Sequence, residues 1–180
     1  MVPFASDDSL KLLFAGPVGA GKTTAIRAIA DTPPISTDVP WSDADGSGKT
    51  TTTVAFDYCS IRLDDEETLH LYGLPGQDQF DFMSTVIGPG AIGVILLLDG
   101  SSPAVADEGS HQIRRLGKLF PGLLVVIGVT RTEHSPHFSF GELHRAVVGS
   151  GGATTPIFTI DPRNRSEVIQ LVRALLMLVS

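Results

Sequence analysis

Short apolar runs alternate with longer amphipathic stretches along most of this chain. A run that is apolar throughout is typical of a strand buried on both faces of a parallel sheet, whereas apolar residues three and four apart indicate a helix with one buried side. The last stretch places Val168, Leu171, Val172, Leu175 and Leu176 on one helical face. We therefore predict strands over residues 10–15, 51–63, 68–72, 91–98, 123–129 and 156–160, and helices over residues 23–29, 80–87, 104–120, 140–148 and 165–179.

The order of these elements indicates the fold class. Alternating strands and helices favour a mainly parallel sheet covered by helices on both faces. The strands over 51–63 and 68–72 are the exception, because only the acidic turn 64–67 separates them and they are expected to pair antiparallel. We predict an α/β fold with a mainly parallel six-stranded sheet and one antiparallel edge strand, in a single domain over residues 1–180.

Composition narrows the class of protein further. The formal net charge of -7 argues against nucleic-acid binding and against binding to an anionic membrane surface, because a polyanion would be repelled. The single cysteine, Cys59, excludes an internal disulfide and most cysteine-based metal sites. The sequence begins without a basic and apolar leader and has no apolar run of membrane-spanning length. We expect a cytoplasmic protein without direct membrane insertion, recruited to a membrane, if at all, by a partner.

A phosphate-binding motif lies between the first strand and the first helix. Residues Gly16 to Thr23 fill every fixed position of the pattern G-x-x-x-x-G-K-[ST], the P-loop of nucleoside triphosphate binders. Its glycines can turn successive N–H groups toward an anion, Lys22 adds a positive charge near the β- and γ-phosphates, and the Thr23 hydroxyl suits Mg²⁺. The predicted phosphate-binding residues are Gly19, Ala20, Gly21, Lys22, Thr23 and Thr24.

The residues after this helix are rich in proline, serine, aspartate and glycine. Residues 31–48 are long for a loop inside a compact domain, and such loops are usually functional or mobile. We predict a loop that senses the bound nucleotide and becomes ordered when the triphosphate binds.

The order of motifs resembles the Ras-like small GTPases. The P-loop precedes a threonine-containing loop, then Gly76-Gln77, and later the polar tetrad 130–133. More narrowly, residues 16–24, 36–39, 49–58 and 71–77 resemble the bacterial branch related to the gliding-motility protein MglA and the conservon-encoded GTPases. The resemblance spans nearly the whole chain, with its specific motifs in the first half. It implies a P-loop NTPase fold, GTP or GDP as the ligand, Mg²⁺ as the cofactor and slow hydrolysis of GTP.

The resemblance also assigns roles to the switch residues. Thr53, four residues before Asp57, would coordinate Mg²⁺ and report the γ-phosphate, with Thr52 as the close second choice. The N–H of Gly76 would meet the γ-phosphate and Gln77 would orient the attacking water. Gln77 and Lys22 are therefore the predicted catalytic residues.

Gly73 and Val18 depart from the pattern of that superfamily, and Asp99 has two possible roles. Gly73 stands where the family has an aspartate that holds a Mg²⁺-bound water, so metal binding is weakened or reassigned. Asp99 ends a buried strand; we interpret it first as the cap of a turn and second as a metal residue. Val18 replaces a glycine and would obstruct an arginine supplied by an activating protein.

Base recognition departs from the guanine pattern as well. Thr130, Arg131 and Glu133 occupy the positions of asparagine, lysine and aspartate in the family motif Asn-Lys-x-Asp. Asp161 begins the third base-contacting loop, and the following Pro162 has no N–H to donate to a guanine carbonyl. We predict Thr130, Arg131, Glu133 and Asp161 as base-side residues, with poorer discrimination between GTP and ATP.

Three functional hypotheses remain open on the sequence. The leading one is a nucleotide-dependent molecular switch that binds GTP with Mg²⁺ and slowly hydrolyses it. The second is a binding module with little hydrolysis, which Gly73 and Val18 favour; the third is an ATP-binding P-loop protein, which Thr130, Glu133 and Pro162 favour. The resemblance implies a roadblock-fold regulator as a partner and, for conservon systems, a sensor kinase.

Overall fold

The computed structural model describes residues 10–31, 33–42, 51–63, 67–75 and 87–179, and for residues 36–42, 51–56 and 134 it describes the backbone alone. The strands and helices are β1 (Leu10–Ala15), α1 (Lys22–Ile29), β2 (Ile35–Ser42), β3 (Thr51–Arg62), β4 (Thr68–Gly73), β5 (Ala91–Asp99), α2 (Val105–Leu119), β6 (Leu124–Thr130), α3 (Phe140–Val148), β7 (Ile157–Thr159) and α4 (Arg165–Val179). A short 3₁₀ turn covers Thr132–His134.

The strands of the described residues form one sheet in the order β2-β3-β4-β1-β5-β6-β7. β1 lies at its centre and pairs in parallel with β4 and β5. β5, β6 and β7 continue the parallel arrangement, while β3 runs antiparallel to both of its neighbours. The predicted α/β class and the antiparallel pairing of β3 with β4 are thereby confirmed.

The sheet contains one strand more than the sequence analysis predicts. Residues 35–42, assigned to a loop above, form β2, which pairs with β3 from Ile35 opposite Tyr58 to Ser42 opposite Thr51. β2 is therefore the edge strand, and the antiparallel β3 lies one position inside it. Pro40 argues against a strand because proline has no N–H for a sheet, but an edge strand can hold a proline.

Alternate residues of the central strands face two separate cores. Leu13 and Ala15 of β1 pack in the core beneath α2 and α3, whereas Leu12 and Phe14 pack in the core beneath α1 and α4. All four of these side chains are fully buried. Burying a leucine or phenylalanine side chain contributes about 1.5–3 kcal/mol, so the two layers hold β1, and the loop that follows it, firmly in place.

Two glycines let α4 lie close to the sheet. A Cβ added to Gly93 of β5 would lie 2.6 Å from Leu175 Cδ1, and one added to Gly128 of β6 would lie 2.7 Å from Leu171 Cδ1. Both distances are too short for real carbon atoms. The absence of a side chain at these positions therefore sets the separation between α4 and the strands beneath it.

Most predicted elements are present, with boundaries that differ by one residue or not at all. The predicted helix over 80–87 lies outside the described residues except for its last residue, Ile87, which is buried. No helix in the described part of the chain has the length and apolar character needed to cross a membrane.

Cys59 gives a direct test of how well β3 is packed. Its side chain is 3% exposed, and burial, together with the negative charges of Asp31 and Asp57, raises the pKa of the thiol to about 12. At pH 8 the thiolate, the reactive form, is then about a thousandfold scarcer than in an ordinary cysteine. We expect iodoacetamide to label Cys59 at least a hundredfold more slowly in the native chain than in urea, measured by mass spectrometry.

Candidate functional site

The P-loop leaves β1 and enters α1 through three glycines in the left-handed backbone region. Gly16, Gly19 and Gly21 have φ values of 137°, 83° and 98°. Gly16 has no alternative, because a Cβ there would lie 2.1 Å from the carbonyl oxygen of Leu97 on β5. Gly21 is the N-cap of α1, so the loop ends at the positive end of that helix. The predicted anion-binding conformation is present.

Lys22 folds back over the loop that precedes it. Its Nζ donates hydrogen bonds to the carbonyl oxygens of Gly16 at 2.8 Å and Pro17 at 2.9 Å. Burial lowers the pKa of the Lys22 ammonium below its ordinary value, and the negative charge of Asp57 partly offsets this shift. The ammonium group therefore lies over the loop, within the electrostatic influence of the Asp57 carboxylate.

The neighbouring residue Thr23 contacts that same carboxylate. The Thr23 hydroxyl donates a hydrogen bond to Oδ2 of Asp57, which lies in the middle of β3. The donated proton leaves the lone pairs of the hydroxyl oxygen available to a cation. A hydroxyl oxygen with a carboxylate behind it matches the oxygen ligands that Mg²⁺ prefers, and the site therefore fits Mg²⁺.

Gly73 lies directly opposite Asp57 in the register of β3 and β4. A Cβ on Gly73 would lie 2.8 Å from Ile26 Cδ1 and 3.2 Å from the Cβ of Asp57. Ile26 is fully buried on α1. The space that an aspartate side chain would need at residue 73 is therefore taken by α1 and by Asp57.

On the opposite side, two residues at the end of β6 hold the P-loop. The buried hydroxyl of Thr130 lies 3.2 Å from the carbonyl oxygens of both Ala20 and Leu98, and its single proton is shared between them. Arg131, with a positive φ of 57°, donates from its guanidinium to the carbonyl oxygen of Gly19 at 2.8 Å. Two predicted base-side residues therefore contact the phosphate-binding loop itself.

Asp99 anchors the guanidinium of Arg131 from the end of β5. One oxygen of Asp99 accepts hydrogen bonds from the N–H and the hydroxyl of Ser101, and the other forms an ion pair with Arg131. Burial pushes the pKa of Asp99 upward, but the bonds from Ser101 and the charge of Arg131 outweigh it and hold the pKa below its usual value. The predicted turn cap is confirmed, and Arg131 accounts for the second oxygen.

The loop after β7 packs against the P-loop through Pro162. A Cβ on Gly21 would lie 3.1 Å from the Pro162 ring, so the ring lies directly beside the start of α1. Asp161 precedes it and accepts hydrogen bonds from the backbone and the guanidinium of Arg163. The N–H of Asp161 donates to Glu167 on α4 at 2.7 Å. Asp161 is thus near the P-loop, with its carboxylate paired to Arg163.

Other predicted residues are placed as follows. Ala20 is buried in the core beneath α1, whereas Thr24 and Glu133 are exposed. Val18 is 84% exposed, so its branched side chain projects from the P-loop into solvent. The predicted obstruction of an activating arginine at that position stays a prediction.

The side chains of the predicted switch residues are not described by the structure. Gly76 and Gln77 lie outside the described residues. Thr52 and Thr53 lie in β3 and pair with β2, but their side chains are not described. Their assigned roles stay predictions.

Asp57 is the residue of this site that sequence reasoning missed, because it served only to locate Thr53. The register of the β3–β4 hairpin could have identified Asp57 as a neighbour of Gly73. The N–H of Leu63 donates to the carbonyl oxygen of Glu67, and counting back from this closure places Asp57 opposite Gly73. In the described part of the chain, no three His, Cys, Asp or Glu side chains gather as metal ligands. A cation here would therefore depend on Thr23 and on ligand oxygens.

Comparisons with protein-family models and with curated protein sequences find no match. Among solved structures, the chain is similar to the Arl6 (BBS3) small GTPase of Trypanosoma brucei, which was solved with the nucleotide analogue GppNp. The two share 15% sequence identity, with a TM-score of 0.68, over 95% of this chain and 97% of the other. At this identity the likeness concerns the fold, and the predicted P-loop NTPase fold is confirmed.

The pairing of Asp161 with Arg163 predicts an unusual titration. Hydrogen bonds from the guanidinium and the N–H of Arg163 lower the pKa of Asp161 to about 2, below the ordinary value of about 3.9. The pair therefore stabilises the loop fully above pH ~4, and this contribution is lost as the pH falls toward ~2.

We expect the Asp161 carboxyl signal in an NMR titration to move with a midpoint near pH 2, and Arg163→Gln to return the midpoint toward ~3.9. Arg173→Gln, an exposed change on α4, is the matched control and should leave the midpoint unaltered. An ordinary pKa for Asp161 in the unmodified chain would contradict the pairing.

Proposed function

We propose that this chain is a nucleotide-dependent switch that binds GTP with Mg²⁺ and hydrolyses it slowly to GDP and phosphate. One observation carries the proposal: three positive-φ glycines, the Lys22 ammonium and the Thr23 hydroxyl converge at the N-terminus of α1. This arrangement binds phosphate through backbone N–H groups, a helix dipole and a full charge.

The hydrogen bonds that side chains donate to the carbonyl oxygens of the P-loop support this proposal. Lys22 holds those of Gly16 and Pro17, Arg131 holds that of Gly19, and Thr130 contacts that of Ala20. In a trans peptide the N–H of the next residue points away from the carbonyl. The carbonyl oxygens of Gly19 and Ala20, which Arg131 and Thr130 contact, are therefore held away from the side where a phosphate would bind.

Mg²⁺ would be held by Thr23 and by phosphate oxygens, with Thr53 as a further ligand by family resemblance. When bound, the ion neutralises charge on the β- and γ-phosphates. Lys22 supplies a second positive charge at the same phosphates, and Gln77 is proposed to orient the attacking water.

The proposed preference for GTP over ATP starts from the similar solved structure. The similar Trypanosoma brucei protein was solved with GppNp, a nucleotide analogue, and it is a small GTPase. In this chain Thr130 and Arg131 form hydrogen bonds with the P-loop, and Pro162 has no N–H to donate to a guanine carbonyl. We therefore propose guanine preference by a modest factor, with Glu133 as the acceptor for the base and ATP as a weaker competitor.

Val18 favours the alternative in which hydrolysis is very slow. By family resemblance, its exposed side chain would lie on the path by which an activating arginine approaches the phosphates. A binding module with little hydrolysis is therefore the second candidate. An activator, if one acts, would have to rearrange the switch residues; we propose a roadblock-fold regulator of the MglA and conservon systems, with a sensor kinase as a further partner.

Removing the Lys22 charge tests the phosphate site. We expect Lys22→Ala to weaken the binding of fluorescent GTP by about 10–100-fold, because a charge-assisted hydrogen bond is lost. Lys118→Ala, an exposed change on α2 with the same loss of charge, is the control and should bind as the unmodified chain does. In the same titration GTP should displace the label at lower concentration than ATP; equal or better displacement by ATP would contradict guanine preference.

Removing the Gln77 side chain tests hydrolysis separately from binding. In single-turnover experiments with γ-labelled GTP, Gln77→Ala should slow phosphate release by about 10²-fold. The affinity for GTP should stay within about twofold, because a misplaced attacking water slows the chemical step and does not change GTP binding. Gln170→Ala, an exposed change on α4, serves as the control. Unchanged turnover in Gln77→Ala would remove that residue from the mechanism, and no turnover in the unmodified chain would favour the binding module.

A further inference from the structure

We propose that a cleft at the end of the sheet opposite the P-loop binds a small amphiphile, a free carboxylate carried on an apolar chain. The cleft lies between α2, the start of β6, the loop over residues 151–155 and the last turn of α4. β1, β5 and β6 run in the same direction, so the amino end of β6 and the P-loop lie at opposite ends of the sheet. The cleft is therefore separate from the proposed nucleotide site.

The cleft has the size and the lining of a small-molecule site. Its volume is about 310 Å³. Ligand pockets typically enclose ~300–1,000 Å³ and are lined mainly by apolar side chains. The apolar side chains of this cleft belong to Ile113, Phe120, Leu123, Val125 and Leu178. A hydrocarbon chain fits such walls, because burying it removes apolar surface from water.

Three glycines keep the cleft open. A Cβ added to Gly117, Gly122 or Gly151 would meet no other described atom within 4 Å. Gly122 and Gly151 have positive φ values of 82° and 96°, so their turns favour glycine in any case. Gly117 differs, because it lies inside α2, where glycine is a poor helix former and where the packing leaves room for a side chain. Its effect is to leave one wall of the cleft without a side chain.

One edge of the cleft is cationic. Ile113 and Gly117 are four residues apart on α2 and line the cleft from one stripe of that helix. Arg114 and Lys118 follow them by one position each and form the neighbouring stripe. Both of these cations are exposed. A positive charge therefore runs along the α2 side of the cleft.

Arg114 provides a partner for a carboxylate at that edge. Its guanidinium donates a hydrogen bond to the hydroxyl of Ser150 at 3.1 Å, and Ser150 directly precedes Gly151 of the cleft wall. The hydroxyl-bearing residues Thr154 and Thr155 belong to the same wall. A guanidinium offers five N–H donors in a planar fork that matches a carboxylate. None of the residues that line the cleft is acidic, so this edge favours an anion.

The charge of this edge is opposite to that of the whole chain. The formal net charge is -7, yet Arg114, Arg115 and Lys118 place three cations within residues 114–118. A small free anion is attracted by these local charges, whereas an anionic membrane surface would also meet the net negative charge of the chain. A protein partner would need about 800 Å² of surface on each side, far more than the mouth of a small cleft. The observations therefore favour a free carboxylate.

Binding of decanoate to the full chain, below the concentration at which it forms micelles, tests the cleft directly. We expect saturable shifts of the methyl NMR signals of Ile113 and Val125, with a dissociation constant below about 1 mM. The methyl signals of Ile29, in the core on the other face of the sheet, should not move. Decanol has the same chain without the charge and should bind about 3–10-fold more weakly.

Two pairs of variants separate the apolar walls from the cationic edge. Gly117→Leu should fill the cleft and weaken decanoate at least about tenfold, while the chain stays folded because leucine is the better helix former. Gly141→Leu on α3, where an added Cβ likewise meets no described atom within 4 Å, is the matched control and should bind as the unmodified chain does. Arg114→Gln should weaken decanoate about 3–10-fold and leave decanol unchanged. Arg27→Gln, an exposed change on α1, should alter neither.

The contrary outcomes are distinct from one another. Absence of saturable decanoate binding up to about 1 mM, or equal binding by a folded Gly117→Leu variant, would overturn the proposal. Equal losses of decanoate and decanol in Arg114→Gln would show that the guanidinium does not recognise the carboxylate. Sedimentation of the chain with vesicles of phosphatidylserine and phosphatidylcholine, lost in Gly117→Leu and unaccompanied by decanoate binding, would assign the cleft to a lipid surface instead.

Discussion

The hydrogen bond between Thr23 and Asp57 joins the phosphate-binding loop to the antiparallel part of the sheet. It forms because β3 pairs with β4 in a register that brings Asp57 next to α1, with Gly73 as the paired residue on β4. A neutral hydrogen bond contributes about 1 kcal/mol and one to a charged group about twice that. Its larger effect is positional, since it decides which way the hydroxyl of Thr23 faces.

Residues at the ends of β5 and β6 hold the P-loop from the side opposite to Asp57, through its carbonyl oxygens. There the carbonyl oxygens of Gly19 and Ala20 are met by Arg131 and Thr130, and Asp99 keeps the guanidinium of Arg131 in place. Strands on both sides of β1 therefore contribute to one loop. In the proposed GTP-binding switch, the side chains of Thr130 and Arg131 would then hold the P-loop and would not be available to the base.

The sequence predicted the fold and the P-loop well, because both depend on local signals. Apolar runs identify strands β1, β5 and β6, and a fixed glycine spacing identifies the loop. It failed for β2, where Pro40 argues against a strand unless one knows that it lies at an edge. It also missed the role of Asp57 and the contact of Arg131 with the P-loop, since both residues are far in sequence from their partners Thr23 and Gly19 and only the three-dimensional structure brings them together.

The glycine at residue 73 couples three positions on three different elements. A Cβ there would lie 2.8 Å from Ile26 Cδ1 on α1 and 3.2 Å from the Cβ of Asp57 on β3, so one of these neighbours would have to shift. Residues that share a contact in this way give substitution effects on stability that do not add. The cost of any side chain at residue 73 therefore depends on which residues stand at 26 and 57.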